Sequence, residues 1–117
     1  MSYFTGYNRW RVYLLEVIDT IFDMKTIRKL QDAMCAIYLD RDRRRGVWGT
    51  YLHFLEESVE LGKAISSGSN EDIADEAADI AAWLASICNL LGIDLEDALR
   101  SKYGDGCPKC GSTPCRC

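Results

Sequence analysis

An all-α fold of antiparallel amphipathic helices is what this sequence predicts, and three observations predict it. Apolar residues recur at three-and-four spacing through Ile27, Leu30, Met34, Ile37 and Tyr38, the stripe of a helix with one buried face. The breaks between patterned stretches are helix punctuation: Ser69 and Asn70 precede an acidic turn, and Gly92 and Gly104 follow the ends of their patterns. The core carries no alternating strand pattern.

Residues 1–24 hold an aromatic opening, "SYFTGYNRW", and an apolar run, "VYLLEVIDTIF". Its mixture of β-branched residues and leucines fits helix or strand. This stretch is assigned to an N-terminal extension, and a natural start at Met24 is one reading of it. A helix is expected from Thr26 to about Asp40. "RDRRRGVWG", residues 41–49, is charged, holds two glycines and reads as a loop. A second helix is expected from about Thr50 to Ile65, broken by "SSGSN". Ser69 or Asn70 then caps the long helix "EDIADEAADIAAWLASICNLL", which ends at Gly92. Asp94 caps a short last helix, "LEDALRSKY", which ends at Gly104. The expected organisation is therefore an extension (1–24), an all-α domain (25–104) and a cysteine tail (105–117).

Composition narrows the function classes. The 117 residues are 48% apolar and 27% charged, ordinary for one globular domain. A net charge of −4 gives no general attraction to nucleic acid or anionic membrane. The longest apolar stretch is too short to span a bilayer, and no signal peptide is expected. Four of the six cysteines crowd into the tail. That asymmetry points to a metal site in a reducing compartment, the cytoplasm, rather than a spread disulfide framework.

The chemistry is concentrated in carboxylates. Within "LEESVELGKAI", Glu56, Glu57 and Glu60 crowd negative charge beside a leucine stripe. Residues three apart on a helix differ by about 60° in direction and roughly 4.5 Å in height, so Glu57 and Glu60 point the same way. Glu76 and Asp79 repeat the arrangement. A short connection makes the two helices antiparallel neighbours. If the pairs face each other, four carboxylates converge into the oxygen-rich cage that Mg²⁺ or Mn²⁺ requires. The bland alternative is a set of solvated helix faces.

Glu57-Ser-Val-Glu60, then Glu76-Ala-Ala-Asp79, then the turn "LLGIDLEDAL" resemble the MazG-type nucleoside triphosphate pyrophosphohydrolases. That family shows ExxE, a variable spacer and ExxD. The similarity runs from about Ile27 to Tyr103 and includes the tryptophan-bearing segment before the second helix. The extension and the cysteine tail depart from it. The resemblance implies an all-α oligomer, a dimer or dimer of dimers, that cleaves nucleoside or deoxynucleoside triphosphates to monophosphate and pyrophosphate with Mg²⁺. It makes Glu57, Glu60, Glu76 and Asp79 the metal-binding and catalytic set, with Glu57 or Glu56 as a candidate base. A relative acting on phosphoribosyl-ATP is a variant of the same reading.

Supporting residues each have a structural alternative. Lys102 falls where similar proteins carry a lysine near the phosphates, or simply favours a helix C-terminus. Asn89 is expected on the side of Asp79, reading a base or ribose or lying at an oligomer seam. Trp48 is placed near the base or packs on its own core. His53 lies one turn before Glu57 and is read as a hydrogen-bonded structural histidine ahead of a phosphate contact. The "RDRRR" run reads as solvated, with a secondary part in attracting a polyanion.

"CPKCGSTPCRC" is the second strong signal. Cys-Pro-x-Cys-Gly is the knuckle form of a zinc ligand pair, and Cys115 and Cys117 complete four thiolates with Cys107 and Cys110. A closed four-cysteine zinc site leaves no open position for catalysis, so its expected role is structural or docking. The competing function is a non-enzymatic helical adaptor whose zinc tail binds protein or nucleic acid. The intact set of four acids favours the enzyme.

Overall fold

The computed structural model describes residues 24–117; the apolar run of the N-terminal extension lies outside the described residues. Three helices follow one another: α1 (Ile27–Ser67), α2 (Asn70–Leu91) and α3 (Leu95–Tyr103). The cysteine tail comes last, and there is no strand among the described residues. The all-α expectation holds.

Each helix end is set by its sequence. The Thr26 hydroxyl accepts from the Lys29 N–H at 3.0 Å and starts α1. Ser69 starts α2 with a reciprocal capping box: its hydroxyl accepts from the Asp72 N–H, and its own N–H donates to the Asp72 carboxylate. Gly92 closes α2 in the left-handed conformation at φ 68°. Asp94 accepts from the Asp97 N–H at 3.0 Å and starts α3.

The expected loop at residues 41–49 is corrected in extent: two helical segments meet within it at a kink, and Gly46 alone departs from helical geometry, at φ 80° and ψ 169°. That conformation is open to glycine and strained for any side chain. The Thr50 hydroxyl, fully buried, donates to the Gly46 carbonyl at 2.7 Å and satisfies the acceptor near the kink. Arginine is a good helix former, and Arg45 is tied to Asp42 one turn back at 3.0 Å. A run of charge therefore became helix rather than loop.

Helices α1 and α2 form an antiparallel pair. As one chain ascends the other descends: Glu57 meets Glu76, Asp42 meets Ser86 and Gln31 meets Asn89. The core between them is small, centred on Ala33, Met34 and Ala85 with Leu30 and Ala82 against it. Small residues let the helices approach closely. A polar clasp fixes their register. The Gln31 side-chain amide donates to Asn89 Oδ1 at 3.0 Å and to the Ile93 carbonyl, Asn89 donates back to the Gln31 carbonyl, and the Leu95 N–H donates to Gln31 Oε1. Gln31 and Asn89 are both buried, so each bond here replaces one to water.

Arg28 ties α3 to the start of α1. Its guanidinium reaches Asp94 at 2.9 Å, Glu96 at 3.0 Å and Asp97 at 2.9 Å. Burial pushes the Asp94 carboxyl up, but Arg28 and the backbone N–H groups of Asp97 and Glu96 outweigh it and hold it below its ordinary 3.8. A carboxyl with a lowered folded pKa stabilises the fold above its ordinary value and loses that contribution as pH falls through the folded value. Arg28→Met is therefore expected to lower the melting temperature by a few degrees at neutral pH, with the gap to wild type closing in acid below 3.8. A gap that stays constant from neutral to strongly acid pH contradicts this role.

Candidate active site

The two-residue connection between α1 and α2 brings the acidic motifs together. One carboxylate oxygen each from Glu57, Glu76 and Asp79 falls within 4.8 Å of the others. Glu76 and Asp79 are a turn apart on α2; Glu57 faces them from α1. Glu57 and Glu76 are half-buried, and Asp79 is exposed. Glu76 Oε2 is inaccessible to water and has no hydrogen-bond partner. The Glu76 carboxyl is held above the usual carboxylate range by its contact with the Glu57 carboxyl, by burial, and by the charges of Glu57, Asp79 and Glu60.

Glu60, the expected fourth member, stands at the edge of this group. Its carboxylate is exposed and paired with Lys63 at 3.2 Å, although its charge still acts on Glu76. Crowded hard oxygen donors with an orphaned buried oxygen fit a small divalent cation such as Mg²⁺. A cation would replace mutual repulsion with attraction and give Glu76 Oε2 a partner.

Beside the carboxylates lies a cavity of about 230 Å³, lined by Tyr38, Arg41, Asp42 and Arg45 of α1 and by Asp79, Trp83 and Ser86 of α2. Asp79 thus belongs to both the acidic cluster and the cavity wall. Asp42 is only 1% exposed; Oδ1 accepts from Arg45 at 3.0 Å, while Oδ2 has no hydrogen-bond partner. Burial pushes the Asp42 carboxyl up against the opposing pull of Ser86 and Arg45. Trp83 stacks on the His53 ring, 4.7 Å away and 7° from parallel, and the Arg45 guanidinium sits 4.8 Å from the Trp83 ring centre. His53 in turn approaches Glu56, with Nδ1 3.3 Å from Oε2.

The other expected substrate contacts lie elsewhere. Asn89 is a correction: it is fully buried, and its amide is spent on Gln31, so it locks helix register rather than facing the acidic site. Trp48 is 78% exposed, edge-on to Tyr51, and is not among the residues gathered at the carboxylates or the cavity. Lys102 closes α3 with its Nζ over the Tyr103 ring at 5.6 Å, and it too lies outside both groups. Sequence reasoning missed Asp42, Arg45 and Ser86. The signal was present: Tyr38, Arg41, Asp42 and Arg45 stand at i, i+3, i+4 and i+7, one helical face, once the helix is carried through the charged run.

The tail gathers the four thiols of Cys107, Cys110, Cys115 and Cys117. Sulfur–sulfur separations are 3.7 Å for Cys107 and Cys117, 4.0 Å for Cys110 and Cys115, and 3.5 Å for Cys107 and Cys115. A tetrahedron with zinc–sulfur bonds of about 2.3 Å has edges of about 3.8 Å. The knuckle is closed by the Gly111 N–H on the Cys107 carbonyl at 2.7 Å, with Gly111 at φ 71°. The Arg116 and Ser112 backbone N–H groups pull the Cys110 thiol down to about 6. Backbone donors aimed at sulfur favour the thiolate, the form that binds metal.

Paired helices that converge three carboxylates beside a polar cavity define a class: an all-α protein with an acidic site suited to a divalent cation. Residues 49–110 match the family model of the MazG nucleotide pyrophosphohydrolase domain, and the chain belongs to that family. No curated protein matches it.

Proposed function

We propose that the chain hydrolyses nucleoside or deoxynucleoside triphosphates to the monophosphate and pyrophosphate in the presence of Mg²⁺, with Mn²⁺ as a substitute. The observation that carries this reading is the convergence of Glu57, Glu76 and Asp79, with a buried, unpartnered oxygen on Glu76. The family membership supports the reaction class.

Glu57, Glu76 and Asp79 would hold the metal, and Glu60 would join them by leaving Lys63. Mg²⁺ bound there supplies neutralisation of phosphoryl charge and acidification of water. The chain's own residues supply orientation. Glu57 and Glu76 face each other from separate helices and fix the position of the triphosphate between α1 and α2. Proton removal from the attacking water is assigned to Glu57 or to the adjacent Glu56, whose carboxylate lies 3.3 Å from His53. Lys102 is assigned a phosphate contact and Trp48 a contact to the base from outside the cavity, both from exposed positions.

We assign the tail a structural zinc ion on Cys107, Cys110, Cys115 and Cys117. Free thiols in this number suit a reducing cytoplasm. No single helix among the described residues is long and apolar enough to cross a membrane, and no general nucleic-acid binding is assigned. Leu52, Val59 and Ile65 of α1 and Leu91 of α2 are exposed. The small core and these apolar positions support a homo-oligomer, a dimer or a dimer of dimers.

A panel of nucleoside and deoxynucleoside triphosphates with Mg²⁺, read separately for phosphate and pyrophosphate, tests the reaction. Pyrophosphate is the expected product, and Glu76→Gln or Asp79→Asn should lower kcat/KM by at least roughly 100-fold. Wild-type turnover by either variant, or phosphate as the sole product, removes the proposal.

The tail is tested by elemental analysis, with one zinc per chain expected and its release as acid protonates the sulfurs. Protein without zinc whose tail cysteines are disulfide-bonded rules the assignment out.

A further inference from the structure

We propose that the cavity beside Asp79 receives the base of the nucleotide, and that Asp42 selects a base with an exocyclic amino group next to an unprotonated ring nitrogen, as in cytosine and adenine. The inference rests on the pyrophosphohydrolase reading of the neighbouring carboxylates and extends it to specificity.

Continuity places the base there. Asp79 is shared by the acidic cluster and the cavity wall; it also borders a larger, mostly apolar groove of about 780 Å³, and the polar lining of the smaller cavity is what favours it for the base. At about 230 Å³, the space equals roughly eight waters at about 30 Å³ each, room for one heterocycle and not for a whole nucleotide.

The chemistry of the wall selects the base. Asp42 Oδ2 is a buried oxygen that makes no hydrogen bond, and the Ser86 hydroxyl is the nearby protein group that pulls on the same carboxylate. Such a group is costly in a folded protein and calls for an explanation. Its sister oxygen is already held by Arg45, so Oδ2 is the acceptor left for a ligand, in competition with the Ser86 hydroxyl. Arg41, Arg45 and Ser86 line the same cavity; the arginines are donors only, and the serine hydroxyl can donate or accept. An acceptor flanked by donors is complementary to an amino group beside an aromatic ring nitrogen, the edge that cytosine and adenine share. Uracil and hypoxanthine present a carbonyl oxygen in place of that amino group. The oxygen would face the carboxylate, and two acceptors repel. Guanine places two donors side by side, which sets one of them against the arginines, groups that have no acceptor.

The two deamination pairs provide the test. Binding of the α,β-imido analogues of CTP and UTP, and of ATP and ITP, is measured with Mg²⁺ for wild type and Asp42→Asn, beside turnover of the natural triphosphates. The expected result is that at least one amino-bearing member binds wild type roughly 10- to 100-fold tighter than its keto partner. That ratio should fall to within about threefold in Asp42→Asn. Equal binding within both pairs by wild type overturns the proposal, whether or not the variant folds. A ratio retained in a folded Asp42→Asn also overturns it and leaves Asp42 as the structural partner of Arg45. Discrimination in binding without turnover would keep the cavity assignment and remove the hydrolytic one. Turnover of all four triphosphates without discrimination would do the reverse.

Discussion

Repulsion among Glu57, Glu76 and Asp79 is the constraint around which the helix pair is arranged. Three carboxylates with oxygens within 4.8 Å cannot all ionise without cost, and the raised affinity of Glu76 for its proton records that cost. Folding must hold them together against this repulsion. The fold does so with features placed away from the acids. The capping box at Ser69 starts α2 immediately after the connection, and the Gln31–Asn89 clasp locks the far end of the pair. Between them, small core residues at Ala33, Ala82 and Ala85 let the backbones approach.

The kink at Gly46 links this constraint to the cavity. Residues before it belong to a helical face that carries Tyr38, Arg41, Asp42 and Arg45; residues after it carry Glu57. A straight helix would give the two segments one common axis. The break lets α1 present a mixed-charge face and an acidic one to successive parts of α2. Trp83, in contact with both His53 and Arg45, bridges the two halves from the opposite helix. The bend thus sets the polar cavity beside an acidic site that the α1–α2 connection assembles.

Much of this was legible in the residues. Helix ends at Ser69, Gly92 and Asp94 follow from local side-chain and backbone chemistry that needs no tertiary context. The facing of Glu57 toward Glu76 and Asp79 follows from three-residue spacing and a short connection. The four thiols of the tail follow from the knuckle motif. The charged run at 41–45 was misread because periodicity tracks apolar residues, and the buried face there is polar: Asp42 is covered by its pairing with Arg45 and its packing on α2. Asn89 was misread for a related reason. A polar residue inside an apolar helix suggests a ligand contact, and its partner Gln31, distant in sequence, is visible only once the helices pair.

The central claim is that the carboxylate cluster is destabilising by itself and stabilised by a divalent cation. A carboxyl whose folded pKa is raised costs stability as pH rises past its ordinary value, here 4.5 for Glu76. Thermal denaturation of wild type and Glu76→Gln at neutral pH, with and without Mg²⁺, measures that balance. Without metal the account predicts the higher melting temperature for Glu76→Gln, because one repelling charge is gone. With Mg²⁺ it predicts a rise for wild type that the variant lacks, as binding to the folded state requires. A wild-type melting temperature indifferent to Mg²⁺, together with a variant no more stable than wild type in its absence, would contradict it.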